Sequence, residues 1–182
     1  MEAGFPTLAT PRLRLREMVP GDAPALLALR GYPEVMRWCG DDSVGELAQA
    51  QQLIEVYAAW RRMRFPATQW ALERREDGRL IGACALSNWK PVCGSCTISY
   101  ELAREAWGCG YMQEALEAAL AWGFAHMRLH RVEARIHPEN LRSAALAQRL
   151  GFVREGLLRE AGFWGGRHHD MTAWGLLESS AG

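Results

Sequence analysis

The sequence predicts a mixed α/β fold in a single domain spanning residues 1–182, and three local signals carry that expectation. Residues 10–16, Thr-Pro-Arg-Leu-Arg-Leu-Arg, alternate apolar and charged side chains, the period of a half-buried strand. Glu76-Asp77-Gly78 stands between two strand-like runs, 69–74 and 80–87, as a hairpin turn. A third strand, 96–102, is followed by Trp107-Gly108-Cys109-Gly110, which leads directly into a helical run over 111–127.

The remaining elements follow in order. Pro20-Gly21-Asp22 offers a turn and a cap before a helix over 23–30. A short helix covers 33–38 and a longer one 43–63, where Leu47, Ala50, Leu53, Ile54, Tyr57 and Ala58 recur at helical spacing. On 111–127 the apolar face holds Met112, Ala115, Leu116, Ala119, Leu120, Gly123 and Met127, with Glu114 and Glu117 facing away. A strand over 131–136 precedes Pro138-Glu139-Asn140, which caps a helix running to Leu150 and ended by Gly151. Two closing strands, 152–160 and 168–177, flank a turn marked by Gly162, Gly165 and Gly166.

Composition narrows the function classes. The 182 residues carry 21 basic and 21 acidic side chains, for no formal net charge. Duplex affinity comes mainly from phosphate neutralisation, so neutrality weighs against a nucleic-acid binder, and against a polybasic membrane-surface protein too. At this length about 70% of the unfolded surface is buried, so no staples are needed. No run approaches the roughly 18 apolar residues of a membrane span, and residues 1–12 lack the cationic start of a signal peptide. The expected location is the cytoplasm. Five cysteines without framework spacing read as free thiols. Cys93 and Cys96 form one C-x-x-C, but no second pair completes a zinc set, so a turn is expected there and no metal. The arginine excess, with Lys90 the only lysine, reads as codon usage.

A glycine-rich turn between a strand end and a helix start presents several backbone N–H groups at the positive end of the helix. That is an anion site, and pyrophosphate is its common guest. Gly108 and Gly110 let the backbone approach closely. The segment is not a P-loop, which needs G-K-[ST]. Position 113 is Gln where the dinucleotide fingerprint has its third glycine, although Glu133 follows at about the required distance, so that reading stays open.

Asn140-Leu-Arg-Ser143 and Leu150-Gly-Phe152 bracket the helix after the next strand. With these residues the chain resembles the GNAT superfamily of acyl-CoA N-acetyltransferases, and in particular its RimJ/RimL-type, ribosomal-protein branch. The resemblance runs through residues 10–16, Ile98-Ser-Tyr-Glu-Leu102, Trp107-Gly-Cys-Gly-Tyr-Met112 with Glu114-Ala115, His137-Pro-Glu-Asn140 with Ser143, Leu150-Gly-Phe152 and Gly166-Arg-His-His-Asp170. It implies a central, mostly antiparallel twisted sheet with one splayed parallel strand pair and helices on both faces.

It also implies roles. The donor would be acetyl-CoA, with no metal. Backbone amides of Gly108, Cys109, Gly110, Tyr111, Met112 and Gln113, opened by Trp107, would hold the CoA pyrophosphate. Main chain of Tyr100, Glu101 and Leu102 would pair with the pantetheine arm, and the Leu102 amide would polarise the thioester carbonyl. Asn140 would bond the cofactor arm, and Ser143 would sit near the sulfur. Two positions depart from the superfamily pattern. Trp107 replaces its Gln or Arg and Met112 its second small residue. The tyrosine many members use as general acid aligns with Ala147, which leaves Ser143 for that role.

Each residue also has a plainer reading. Asn140 suits a helix cap whatever it binds. Ser143 fits a helix end, and Glu101, Glu133 and Glu160 fit solvated strand faces, with Glu101 the first choice for a base. His168, His169 and Asp170 read as a hydrogen-bonded turn. Trp38, Trp60 and Trp164 line an acceptor cleft or pack a core, and Arg142 and Arg149 are candidates for the CoA 3′-phosphate.

The acceptor is expected to be an amine. Deprotonating a lysine at pH 7 costs about 4.6 kcal/mol, against about 1–1.4 kcal/mol for an α-amine. With no His or Asp in a commanding place, a protein N-terminus is favoured. A small amine, a succinyl donor, or an acyl-CoA-binding module without turnover are the alternatives. A homodimer is compatible with the resembled branch.

Overall fold

The computed structural model describes residues 4–40 and 44–180. The strands are β1 (Leu8–Ala9), β2 (Leu13–Glu17), β3 (Thr68–Arg74), β4 (Leu80–Lys90), β5 (Ser95–Leu102), β6 (Arg131–Ile136), β7 (Val153–Trp164) and β8 (Arg167–Leu177). The helices are α1 (Ala23–Arg30), α2 (Pro33–Met36), α3 (Leu47–Trp60), α4 (Tyr111–Met127) and α5 (Leu141–Arg149). All eight strands form one sheet in the order β1-β2-β3-β4-β5-β6-β8-β7. Every neighbouring pair is antiparallel except β5 and β6.

Helices cover both faces. Strand alternation sends Cys96, Ile98, Val132, Ala134, Trp174 and Leu176 to the face lined by Met112, Leu116 and Leu120 of α4 and by Leu146 and Ala147 of α5. On the opposite face Ala71 and Ala83 pack against Leu26 and Leu29 of α1 and Ala50, Ile54 and Tyr57 of α3. Burying one such leucine or isoleucine contributes about 1.5–3 kcal/mol.

The parallel pair is short. Ser95, Cys96 and Thr97 pair with Arg131, Val132 and Glu133. Beyond that point β5 stays with β4 as far as Leu102, while β6 stays with β8 as far as Ile136 opposite Thr172. The two strands therefore splay, and the gap opens toward their C-terminal ends.

Several boundaries differ from expectation for local reasons. The strand expected over 10–16 forms at Leu13–Glu17, because Pro11 lacks an N–H, and Leu8–Ala9 adds a short edge strand. Of the helix expected over 43–63, Leu47–Trp60 is helical, and Ser43 lies outside the described residues. The short helix over 33–38 stops at Met36. β4 runs to Lys90 through a register shift at Asn88, which has φ 51°. Gly162 lies within β7, not in the closing turn, which Gly165 and Gly166 make alone. Glu114 was expected to face solvent, but it is tied to Thr10 and Arg12.

Candidate acetyl-transfer site

The site is built where the splay meets the first turn of α4. The register shows which backbone groups face the gap. Ala103 N–H donates to Ile81 at 2.8 Å, and hydrogen-bonded pairs alternate along an antiparallel ladder. Ser99, Glu101 and Ala103 thus bond β4, and Tyr100 and Leu102 turn their amides and carbonyls into the gap. Of the three residues expected to offer main chain, Glu101 is spent on the ladder.

The loop before α4 is fastened at both ends. Trp107 Nε1 donates to the carbonyl oxygen of Leu102 at 2.7 Å, and the Arg142 guanidinium lies 4.9 Å from the Trp107 ring centre. On the other side Arg12 Nη1 donates to the Cys109 carbonyl at 2.8 Å, and its Nε bonds Glu114 at 2.6 Å. Thr10 donates to the same carboxylate at 2.6 Å. Burial raises the Glu114 pKa, but these donors and the Arg12 charge outweigh it and hold the carboxyl below its ordinary range.

Gly108 and Gly110 have φ 77° and 79°, backbone that an L side chain rarely adopts. A Cβ on Gly108 would meet nothing within 4 Å, so what the glycine keeps clear is the mouth of the loop. The first bond internal to α4 runs from Glu114 N–H to Gly110 at 3.2 Å. The amides of Tyr111, Met112 and Gln113 therefore have no acceptor inside the helix. Met112 itself is a buried core residue and Tyr111 packs under Arg12, so these two serve the loop through backbone alone. Unpaired amides at a helix N-terminus, beside the clear mouth at Gly108, are the donor chemistry a pyrophosphate requires.

Asn140 caps α5, its Oδ1 accepting from Ser143 N–H at 3.2 Å. The cap leaves its two N–H donors unused by that bond. Ser143 reaches across the splay, its Oγ 2.6 Å from the Tyr100 hydroxyl. Ala147, one turn further, is buried. Arg142 and Arg149 are exposed on α5.

Side chains at odd positions of β5 and β6 lie on the opposite side of the sheet from α4 and α5. Glu101 is buried there, with both carboxylate oxygens within 3.0 Å of Arg30 Nε. Glu133 pairs with Arg131 at 3.0 Å. His137 stacks on Trp38 at 4.3 Å and stands 5.4 Å from His169, which stacks on Trp164 at 3.7 Å. Burial, reinforced by the charges of His169, Arg167 and Arg37, lowers the His137 pKa against the pull of Glu139. Its Nδ1 accepts from Glu139 N–H at 3.2 Å. Trp38 and Trp164 thus share one aromatic group, whereas Trp60 stands apart beside Tyr57. His168 and Asp170 serve the hairpin, Asp170 accepting from the N–H of Glu160 at 2.8 Å. Sequence reasoning missed Arg12, Arg30 and His137. Only His137, adjoining the Pro-Glu-Asn cap, had a local signal.

Residues 12–153 match the family described as acetyltransferase (GNAT) domain. The chain belongs to the GNAT acetyltransferase family. It is 32% identical over 172 residues to the uncharacterized N-acetyltransferase p20 of Bacillus licheniformis, covering 94% of this chain and 96% of that one. It is also 35% identical over 105 residues to the ribosomal protein uS5 alanine N-acetyltransferase of Escherichia coli, about half of each chain. Among solved structures, spermidine N-acetyltransferase from Vibrio cholerae, in complex with CoA and spermine, superposes with a TM-score of 0.81 at 24% identity, covering 94% of this chain and 99% of that one. This GNAT chain is an acetyl-transferring enzyme, and its eight-stranded sheet with one parallel pair is the fold of its neighbours. No described helix is long and apolar enough to cross a membrane.

Proposed function

We propose that the enzyme moves an acetyl group from acetyl-CoA directly to a protein N-terminal α-amine, working as one domain in the cytoplasm. The observation that carries the choice of acceptor is the state of the carboxylates on β5 and β6. Glu101 is held by Arg30 and Glu133 by Arg131. An α-amine is the acceptor that asks least of such groups, since its deprotonation at pH 7 costs about 1–1.4 kcal/mol. The uS5 alanine N-acetyltransferase relative supports the same acceptor class.

Acetyl-CoA supplies an activated acetyl group. The chain supplies the rest. Amides of residues 108–113 receive the pyrophosphate at the positive end of α4, where no lysine is required. Tyr100 and Leu102 offer main chain in the splay to the pantetheine arm, and Asn140 offers its amide. Arg142 and Arg149 stand on α5 for the 3′-phosphate. The Leu102 N–H, held in place by the ladder at Ala103 and by Trp107 on its carbonyl, stabilises the oxyanion. Glu101 takes the amine proton through water, since Arg30 occupies its carboxylate. Ser143 protonates the leaving sulfur. Binding both partners in one gap adds effective molarities on the order of 10⁵–10⁸ M.

The spermidine N-acetyltransferase neighbour makes a small polyamine the second reading. Thiol release measured with a free-N-terminus peptide, the same peptide blocked, and spermidine separates them. Release with the free peptide alone is expected. Equal release with spermidine would favour the second reading, and none with any amine would overturn both.

A further inference from the structure

The Tyr100 side chain has no part in the roles above, which use only its backbone. Its hydroxyl lies 2.6 Å from Ser143 Oγ, joining a β5 strand residue to the first turn of α5 across the splay. Tyr100 packs against the core that also holds Ala147, so the phenol stands within a largely apolar setting. Ala147 occupies the helix position where the resemblance expects a tyrosine, and the strand delivers a phenol to the turn just before it.

Either hydroxyl can donate across this contact, and desolvation favours the phenol as the donor. A buried O–H that does not donate loses its hydration without return, a cost of about 1–3 kcal/mol. Ser143 Oγ is the phenol's hydrogen-bond partner among the described residues. In the arrangement that desolvation favours, the Tyr100 proton points at Ser143 Oγ. With that oxygen accepting, the serine's own proton is turned away from Tyr100. Burial raises the Tyr100 pKa, with the Ser143 bond opposing it, so the phenol keeps its proton at neutral pH.

We propose that Tyr100 is the positioning residue of a Tyr–Ser donor pair, directing the Ser143 hydroxyl at the thiolate that leaves acetyl-CoA. The proposal rests on the acetyl-CoA reading given above. When the C–S bond breaks, its electron pair goes to sulfur. Sulfur takes the Ser143 proton, and Ser143 recovers one from Tyr100. The phenolate is reprotonated through water by the proton that the amine gives up in forming the amide. The net transfer is one proton from amine to thiol.

The test needs no acceptor. CoA carrying an isotope label on the carbon that bears sulfur is bound to the wild type, Tyr100→Phe, Ser143→Ala and the double variant. The bound thiol is then titrated by NMR. A directed donor favours the thiolate, so at a given pH the wild type holds about tenfold more thiolate than either single variant. The double variant matches the singles, because each removes the same pair. Equal titration in wild type and Tyr100→Phe would overturn the proposal, as would losses that multiply in the double variant. CoA affinity and melting temperature measured on the same samples separate this from a failure to bind or fold. CoA that does not bind the wild type at all would overturn the underlying reading, and the proposal with it. Where turnover is measured, kcat falls in Tyr100→Phe while KM for acetyl-CoA holds.

Discussion

Trp107 Nε1 donates to the carbonyl oxygen of Leu102 at 2.7 Å, so one hydrogen bond fastens the loop before α4 to the end of β5. The loop carries the amides proposed for the pyrophosphate, and the strand end carries the amide proposed for the thioester carbonyl. Their spacing is therefore set by this contact. Trp107→Phe keeps an aromatic ring and removes the donor. A neutral hydrogen bond contributes about 0.5–1.5 kcal/mol, so KM for acetyl-CoA is expected to rise roughly two- to tenfold. Initial rates at saturating acceptor check this, and an unchanged KM would remove the bond from the binding account.

Glu114 links the same loop to β2 through Thr10 and Arg12, and this link titrates. Its carboxyl is held below the ordinary 4.5. A carboxyl depressed in the folded state contributes stability above its unfolded value, and that contribution disappears as pH falls through the folded value. Glu114→Gln is therefore expected to cost on the order of 1 kcal/mol at neutral pH, a figure kept small by the exposed Arg12 partner. The gap between variant and wild type narrows below about pH 4.5. Denaturant midpoints measured across acid pH check the sign, and a gap that widens on acidification would contradict it.

Gly108→Ala separates folding from binding. A Cβ there meets nothing in the protein, so the cost to the fold is the left-handed backbone alone, about 1–2 kcal/mol. The methyl group does project at the mouth of the amide cradle. A CoA affinity at least tenfold lower, with near-native circular dichroism, is the outcome expected from calorimetry. Undiminished affinity would place the pyrophosphate elsewhere.

The cysteines allow a footprint. Cys93 and Cys109 are exposed, while burial pushes the thiols of Cys84 and Cys96 up to about 12, the latter helped by Glu133. A thiol reagent at pH 8 is expected to label Cys93 and Cys109 and spare Cys84 and Cys96. Saturating acetyl-CoA, which carries no free thiol to consume the reagent, slows labelling of Cys109, which lies in the loop, and leaves Cys93 unchanged. Mass spectrometry of labelled peptides reads the result.

What was legible in the sequence is what short-range physics writes there. The period-two run gave β2, Asp77-Gly78 gave the β3–β4 hairpin, and the apolar set on 111–127 is the set α4 buries. Gly108, Gly110, Asn140 and Ser143 are likewise local signals, each placed at a helix start. Contacts between distant residues left no such trace. Glu114 reads as a solvated helix residue until Arg12, 102 positions earlier, is brought beside it. Glu101 meets Arg30 across 71 positions, and Tyr100 meets Ser143 across 43. Strand ends depended on neighbours too, since β4 extends past Asn88 only because β5 lies opposite.

One peptide with both a free α-amine and a lysine side chain tests the central reading most directly. After incubation with acetyl-CoA and the enzyme, fragment mass spectrometry locates the acetyl group. The account expects it on the N-terminal nitrogen, with the lysine untouched. An acetyl group on the lysine, or none on either amine while spermidine is acetylated, would contradict it.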